Sequence, residues 1–151
     1  MRDDQDAIWH VNAQAFGRRD EADLVDALRD NGDLVASSVI LTEGQIIGHA
    51  ALSSGSIGTI RLLVLAPVAV LPEHQGQGLG QAVVDHVLKT ADGSPVSVLG
   101  DPGFYGRFGF VPAEPFGVTP PFPVDPGAFQ LLRPELVPPG TLTYAAPFLD
   151  L

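Results

Sequence analysis

Between Ile60 and Thr90 the apolar pattern changes period across a glycine-rich turn, and this transition limits the possible folds more than any other feature. The stretch Ile60 to Leu71 is apolar almost throughout and ends at Pro72, which predicts a strand covered on both faces. The chain then reads Val68-Ala69-Val70-Leu71-Pro72-Glu73-His74-Gln75-Gly76-Gln77-Gly78-Leu79-Gly80, with glycine at three alternate positions. Beyond it the spacing predicts a helix over Gly78 to Thr90, with Leu79, Ala82, Val83 and Val87 inward. A strand that delivers a glycine turn onto a helix N-terminus suits an anionic phosphate. The first amides of the helix lack intrahelical partners, and the macrodipole places partial positive charge there. Glycine lets those amides come close to phosphate oxygens.

Spacing narrows the ligand. A nucleotide P-loop needs lysine and a hydroxyl residue after its last glycine, and neither follows here. A dinucleotide fingerprint counted from Gly76 needs glycine where Gln81 stands. The order that fits is Gln75-x-x-Gly78-x-Gly80 after an apolar strand. It resembles the acyl-CoA pyrophosphate loop of the GCN5-related N-acetyltransferases. A second segment, Gly100-Asp101-Pro102-Gly103-Phe104-Tyr105-Gly106-Arg107-Phe108-Gly109-Phe110, resembles the same family through its Phe-Tyr-x-x-x-Gly-Phe form. The resemblance runs loosely over nearly the whole chain and is nearest to a bacterial subgroup of predicted acetyltransferases with Gly-Asp-Pro before the tyrosine helix.

The resemblance implies a mixed α/β (α+β) sheet, mostly antiparallel, flanked by helices and splayed beside the cofactor. It implies acetyl-CoA as co-substrate, with the pyrophosphate on Gln75, Gly76, Gln77, Gly78, Leu79 and Gly80. The pantetheine arm would lie along Val68, Ala69 and Val70 like an extra strand. Pro67 supports a break there from the residues alone, since proline gives no N–H to a ladder and forces its neighbour to part or the strand to bulge. The family usually begins with a strand before its first helix. Only a few polar residues precede that helix here, so either the first strand is missing or the chain starts late relative to its relatives; the sheet's first edge is affected, not the cofactor site.

Composition bounds the rest. The 151 residues suit one domain, 1–151. The longest apolar run is about half of what a membrane helix requires, and no apolar core of a signal peptide follows Met1-Arg2-Asp3-Asp4-Gln5-Asp6. A cytoplasmic protein without membrane association is expected. There are no cysteines, hence no thiolate metal site and no acyl-cysteine intermediate; no metal is expected. A net charge of −10 argues against nucleic acid, whose binding relies on lysine and arginine. It does not exclude CoA, because charge at a distance is screened beyond roughly 8–10 Å in physiological salt. Acids crowd the segment before Gly44, which reads as solvated helix faces with a secondary bias toward cationic amines.

The remaining elements follow from periodicity: helices over Asp4 to Phe16 and Glu21 to Asn31, and strands over Leu34 to Leu41, Gln45 to Leu52 and Val96 to Leu99. A short helix is expected over Asp101 to Phe108. From Pro112 onward, where ten of the 14 prolines lie, only Ala128 to Leu132 and Thr141 to Ala145 read as strands.

Tyr105 is the candidate catalytic acid. A departing thiolate, with a thiol pKa near ~8.5, can take a proton from a phenol near ~10, and the resemblance puts this tyrosine beside the CoA sulfur. Asp101 before Pro102 reads first as an N-cap. No acid lies between Leu62 and Leu71, where many family members carry a glutamate base. Glu73, His74 and His49 are weak candidates for that task, and His10 and His86 read as structural. The function expected is acetyl transfer from acetyl-CoA to a primary amine of a small molecule or protein by direct attack. The alternative is a non-catalytic acyl-CoA-binding sensor or structural module. A homodimer is left open.

Overall fold

The computed structural model describes residues 2–150. Two helices lead: α1 (Arg2–Phe16) and α2 (Asp20–Asp30). Helix α2 stops where expected: Asn31 is its C-cap and Gly32 follows at φ +79°, a conformation that ends helices because further turns cannot stack on it.

Strands β1 (Leu34–Thr42), β2 (Gln45–Ile57) and β3 (Ile60–Val70) form an antiparallel meander. Helix α3 (Leu79–Lys89) then crosses to β4 (Val96–Leu99), which lies parallel to β3. After the short helix α4 (Pro102–Tyr105) come β5 (Val111–Pro112), β6 (Val118–Thr119), β7 (Phe129–Leu132), β8 (Gly140–Thr141) and β9 (Thr143–Tyr144). The main sheet runs β1-β2-β3-β4-β7-β5, with β9 joined to β2 and a small β6-β8 pair apart. This is the mixed, mostly antiparallel sheet expected.

Helix α3 covers one face of the sheet. Val83, Val84 and Val87 pack against Ala50, Leu52, Leu65, Val96 and Val98; each such buried side chain contributes roughly 1.5–3 kcal/mol of hydrophobic free energy. Helices α1 and α2 cover the other face through Ile8, Val11 and Val25, which meet Ile47, Ala69 and Leu71. Leu62 and Val64 share that face with Ala69 and Leu71 although their sequence parity differs. A bulge reconciles them. Ala50 faces Val68 and Leu52 faces Leu65, so Ala66 and Pro67 together oppose Ala51 and the inside–outside alternation inverts there.

Three expectations need correction. Ala82 is exposed and Val84 is buried in its place, because the buried stripe of α3 follows Val83, Val84 and Val87 toward Ala91. Strand β2 runs five residues beyond Leu52, through Ser53-Ser54-Gly55-Ser56-Ile57. This small polar run has no strand pattern of its own, and pairing with β3 on one side and β9 on the other holds it extended. The expected helix over Asp101 to Phe108 is a single α-turn followed by a tighter 3-10 turn at Gly106–Phe108. Gly109 ends it at φ +99°.

Candidate active site

The site grows from the point where β3 and β4 separate. Their pairing covers Leu63 with Val96, Val64 with Ser97 and Leu65 with Val98, and it ends there while β3 continues to Val70. The bulge at Ala66 and Pro67 falls at the place of separation. The sheet therefore both parts and bulges at the proline, and β3 keeps its partner β2 through Val70. Among the described residues, the edge of Val68, Ala69 and Val70 that faces away from β2 has no strand partner. Val70 departs from the expectation, because its carbonyl accepts a hydrogen bond from the Gln75 side-chain amide at 3.0 Å.

A cavity of about 440 Å³ occupies this gap. Val64 to Val68 form one wall, Val98 and Leu99 the other, and Tyr105 closes one side. Asp101 sets Tyr105 in place: its carboxylate caps α4 by accepting from the Gly103 N–H at 3.1 Å, so the cap reading of Asp101 holds. The Tyr105 ring lies edge-on to Phe104 and Phe110, with centroids 4.8 and 5.9 Å away. Burial raises the Tyr105 phenol above its ordinary value, so it stays protonated at neutral pH and can act as a donor.

The glycine turn forms a second, smaller cavity of about 270 Å³, adjoining Val70. Gly76 and Gly78 both sit at φ +79°, where side chains are strained, and a Cβ at either would meet nothing within 4 Å. The turn is thus left-handed and open. The first amide of α3 to make a helical bond in this region is Ala82, to the Gly78 carbonyl at 3.1 Å, which leaves the amides of Leu79 and Gly80 without intrahelical acceptors. Leu79 packs its side chain on the α1 face of the core. Gln75 differs from the others, since its backbone N–H already donates to the Pro72 carbonyl at 3.3 Å. Its side-chain amide therefore ties the turn to β3, and its backbone N–H closes the 3-10 turn at Pro72–His74. Gln77 is exposed on the same turn.

Sequence reasoning missed Arg107. It borders the glycine cavity, donates to the Gln81 side-chain oxygen at 2.7 Å and stacks 5.1 Å over the Phe104 ring. The signal was present, because Arg107 lies inside the tyrosine motif, but its direction depends on how α4 docks. The first helices and the proline-rich tail also reach the gap cavity: Phe16 at the end of α1, Glu21 and Leu24 of α2, and Phe122, Tyr144 and Phe148 of the tail line it. No local pattern links positions so far apart in the chain.

The histidines settle differently. His49 is fully buried. Asn12 Nδ2 donates to the Ile8 carbonyl at 3.0 Å and lies 3.1 Å from His49 Nδ1. Nδ1 is therefore the acceptor, and Nε2–H donates to Ser37 Oγ at 2.7 Å. Desolvation pushes the His49 pKa down to about 4, so it is a neutral structural residue, not a base in the gap. His74 borders the glycine turn, Glu73 is exposed beside it, and His86 contacts Ser38 Oγ at 3.0 Å. Among the described residues no cluster of histidine and acidic side chains suits a metal ion, and no helix is long and apolar enough to cross a membrane.

Comparison with known proteins agrees with this geometry. Residues 34–112 match the family described as the acetyltransferase (GNAT) domain. The chain is 32% identical to YjhQ of Escherichia coli, an uncharacterized N-acetyltransferase, over 94% of this chain and 85% of that protein. The structure of the Escherichia coli GNAT family N-acetyltransferase YhbS in complex with CoA superposes with a TM-score of 0.90 at 31% identity, covering 99% of this chain and 88% of the other. A Brucella melitensis GNAT family acetyltransferase in complex with acetyl-CoA gives 0.82 at 32% identity, with 98% and 94% covered. With sequence and fold in agreement over nearly its whole length, the chain belongs to the GNAT family of N-acetyltransferases.

Proposed function

We propose that this protein binds acetyl-CoA and transfers the acetyl group to a primary amine by direct attack, with residues 1–151 acting as one catalytic domain. The observation that carries this reading is the opening of β3 from β4 at Leu65 and Val98, which joins an unpaired strand edge, a half-buried phenol and an open glycine turn. CoA in the YhbS complex and acetyl-CoA in the Brucella complex support the choice of co-substrate.

The residues fit each part of that ligand. The amides of Gly76, Gln77, Gly78, Leu79 and Gly80 hold the pyrophosphate, assisted by the Arg107 guanidinium, while Gln75 braces the turn. Val68, Ala69 and Val70 offer the pantetheine amides a strand edge. Neutral amine adds to the thioester carbonyl, and the resulting tetrahedral intermediate breaks its C–S bond. Tyr105 donates its proton to the departing sulfur, so free CoA leaves as the thiol, and the phenolate regains a proton from water. The amine nitrogen loses its extra proton to water, since the β3 segment carries no acid. No cysteine is available to carry the acetyl group in between.

The test is thiol release from acetyl-CoA with a panel of primary amines. Turnover that Tyr105→Phe slows by roughly 10²–10⁴ with little change in acetyl-CoA affinity is the expected result. Binding of acetyl-CoA without release by any amine would instead identify a non-catalytic binding module. Wild-type turnover by Tyr105→Phe from pH 7 to 10, with chemistry rate-limiting, would remove the phenol from the mechanism.

A further inference from the structure

Three aromatic side chains of the tail line the gap cavity and stand together: the Tyr144 ring lies 5.5 Å from Phe122 and 5.2 Å from Phe148. Phe16 and Phe122 line the same cavity and remain 40% and 42% exposed, so the protein itself does not fully cover their apolar surface. One carboxylate, Glu21, lines the same cavity. Its side chain is only 12% exposed, while that of its partner Arg18 is 60% exposed. Arg18 grips it with two hydrogen bonds, Nε to Oε1 at 2.9 Å and Nη2 to Oε2 at 2.5 Å. That grip fixes the carboxylate and holds its pKa below the ordinary value, which keeps Glu21 ionised and a poor proton acceptor. Water screens the exposed guanidinium more strongly than the enclosed carboxylate. Each carboxylate oxygen also retains a lone pair beyond the one Arg18 uses.

From this juxtaposition, and resting on the transferase reading above, we infer that the acceptor is an amine carried on a flat apolar body, of the arylalkylamine class. The rings of Phe122, Tyr144 and Phe148 would receive the body, and Glu21 would attract the ammonium form before the nitrogen loses its proton and attacks. Aromatic faces favour a cation as well as an apolar group, so both parts of such a ligand are recognised. A hydrophilic amine of similar basicity satisfies Glu21 and leaves the aromatic surface wet.

The experiment compares phenethylamine with ethanolamine on the full chain loaded with CoA, by calorimetry and, with acetyl-CoA, by thiol release. Phenethylamine is expected to bind and react at least about tenfold better, Glu21→Gln to raise its KM about tenfold without changing the KM for acetyl-CoA, and Phe122→Ala to erase the preference. Phe122 lies on an exposed loop, so that variant tests the idea even if Glu21→Gln folds poorly. Equal binding and turnover of the two amines, or a preference unchanged in Phe122→Ala, would overturn the acceptor class and leave acetyl transfer standing. Selective phenethylamine binding without thiol release from any amine would support the class and overturn the transferase reading.

Discussion

Gly100 lies directly beneath Tyr105: a Cβ built on Gly100 would stand 2.5 Å from Tyr105 Cε2 and 3.2 Å from Cδ2. The ring can keep this place beside the gap only because Gly100, next to the Asp101 cap, has no side chain.

Gly100→Ala is therefore expected to displace the ring and lower turnover. Overpacking of this kind costs about 1–3 kcal/mol, so a modest fall in thermal midpoint should accompany the loss. The clash falls on the Tyr105 ring and not on the glycine turn itself, so acetyl-CoA affinity should stay within a few-fold of wild type. Unchanged turnover in Gly100→Ala would mean that the ring position does not matter to the reaction.

Gly78→Val tests the turn itself. Gly78 holds φ +79° and is the N-cap of α3. A β-branched residue at that angle is strained by about 1–3 kcal/mol, and its side chain enters the open space before the free amides. Acetyl-CoA affinity by calorimetry is expected to drop sharply. Equal affinity in variant and wild type would exclude the turn as the pyrophosphate site.

Arg107→Ala removes the guanidinium that borders the same cavity. A charge-assisted contact contributes about 1.5–3 kcal/mol, so the KM for acetyl-CoA should rise roughly tenfold or more with kcat little changed. The salt dependence of binding should also flatten. A KM that does not move would assign Arg107 to packing on Phe104 alone.

His49 makes stability depend on pH. Its folded pKa is about 4, against about 6.5 in an unfolded chain, so between these values the unfolded state binds more protons. Stability is full above pH ~6.5 and is lost as pH falls toward 4, by about 3 kcal/mol in all. Urea midpoints measured across that range should show a slope in wild type that is largely absent in His49→Gln. The same slope in both proteins would place the acid sensitivity elsewhere.

The sequence by itself determined what depends on neighbours in the chain. Alternate glycines after an apolar strand specify the open turn at Gly76 and Gly78, Asp101 before Pro102 caps the tyrosine turn, and Pro67 breaks the ladder. In each case a few adjacent residues hold the whole physical cause: positive φ, a cap hydrogen bond, a missing N–H. The tertiary structure alone decided the rest. Val84 replaces Ala82 in the core because helix rotation answers to the sheet beneath it. The run Ser53 to Ile57 is extended because β3 and β9 bind it. Glu21 shares a cavity with Phe122, Tyr144 and Phe148 because α2 and the proline-rich tail both border it. Residues more than a hundred positions apart share no periodicity, and only packing brings them together.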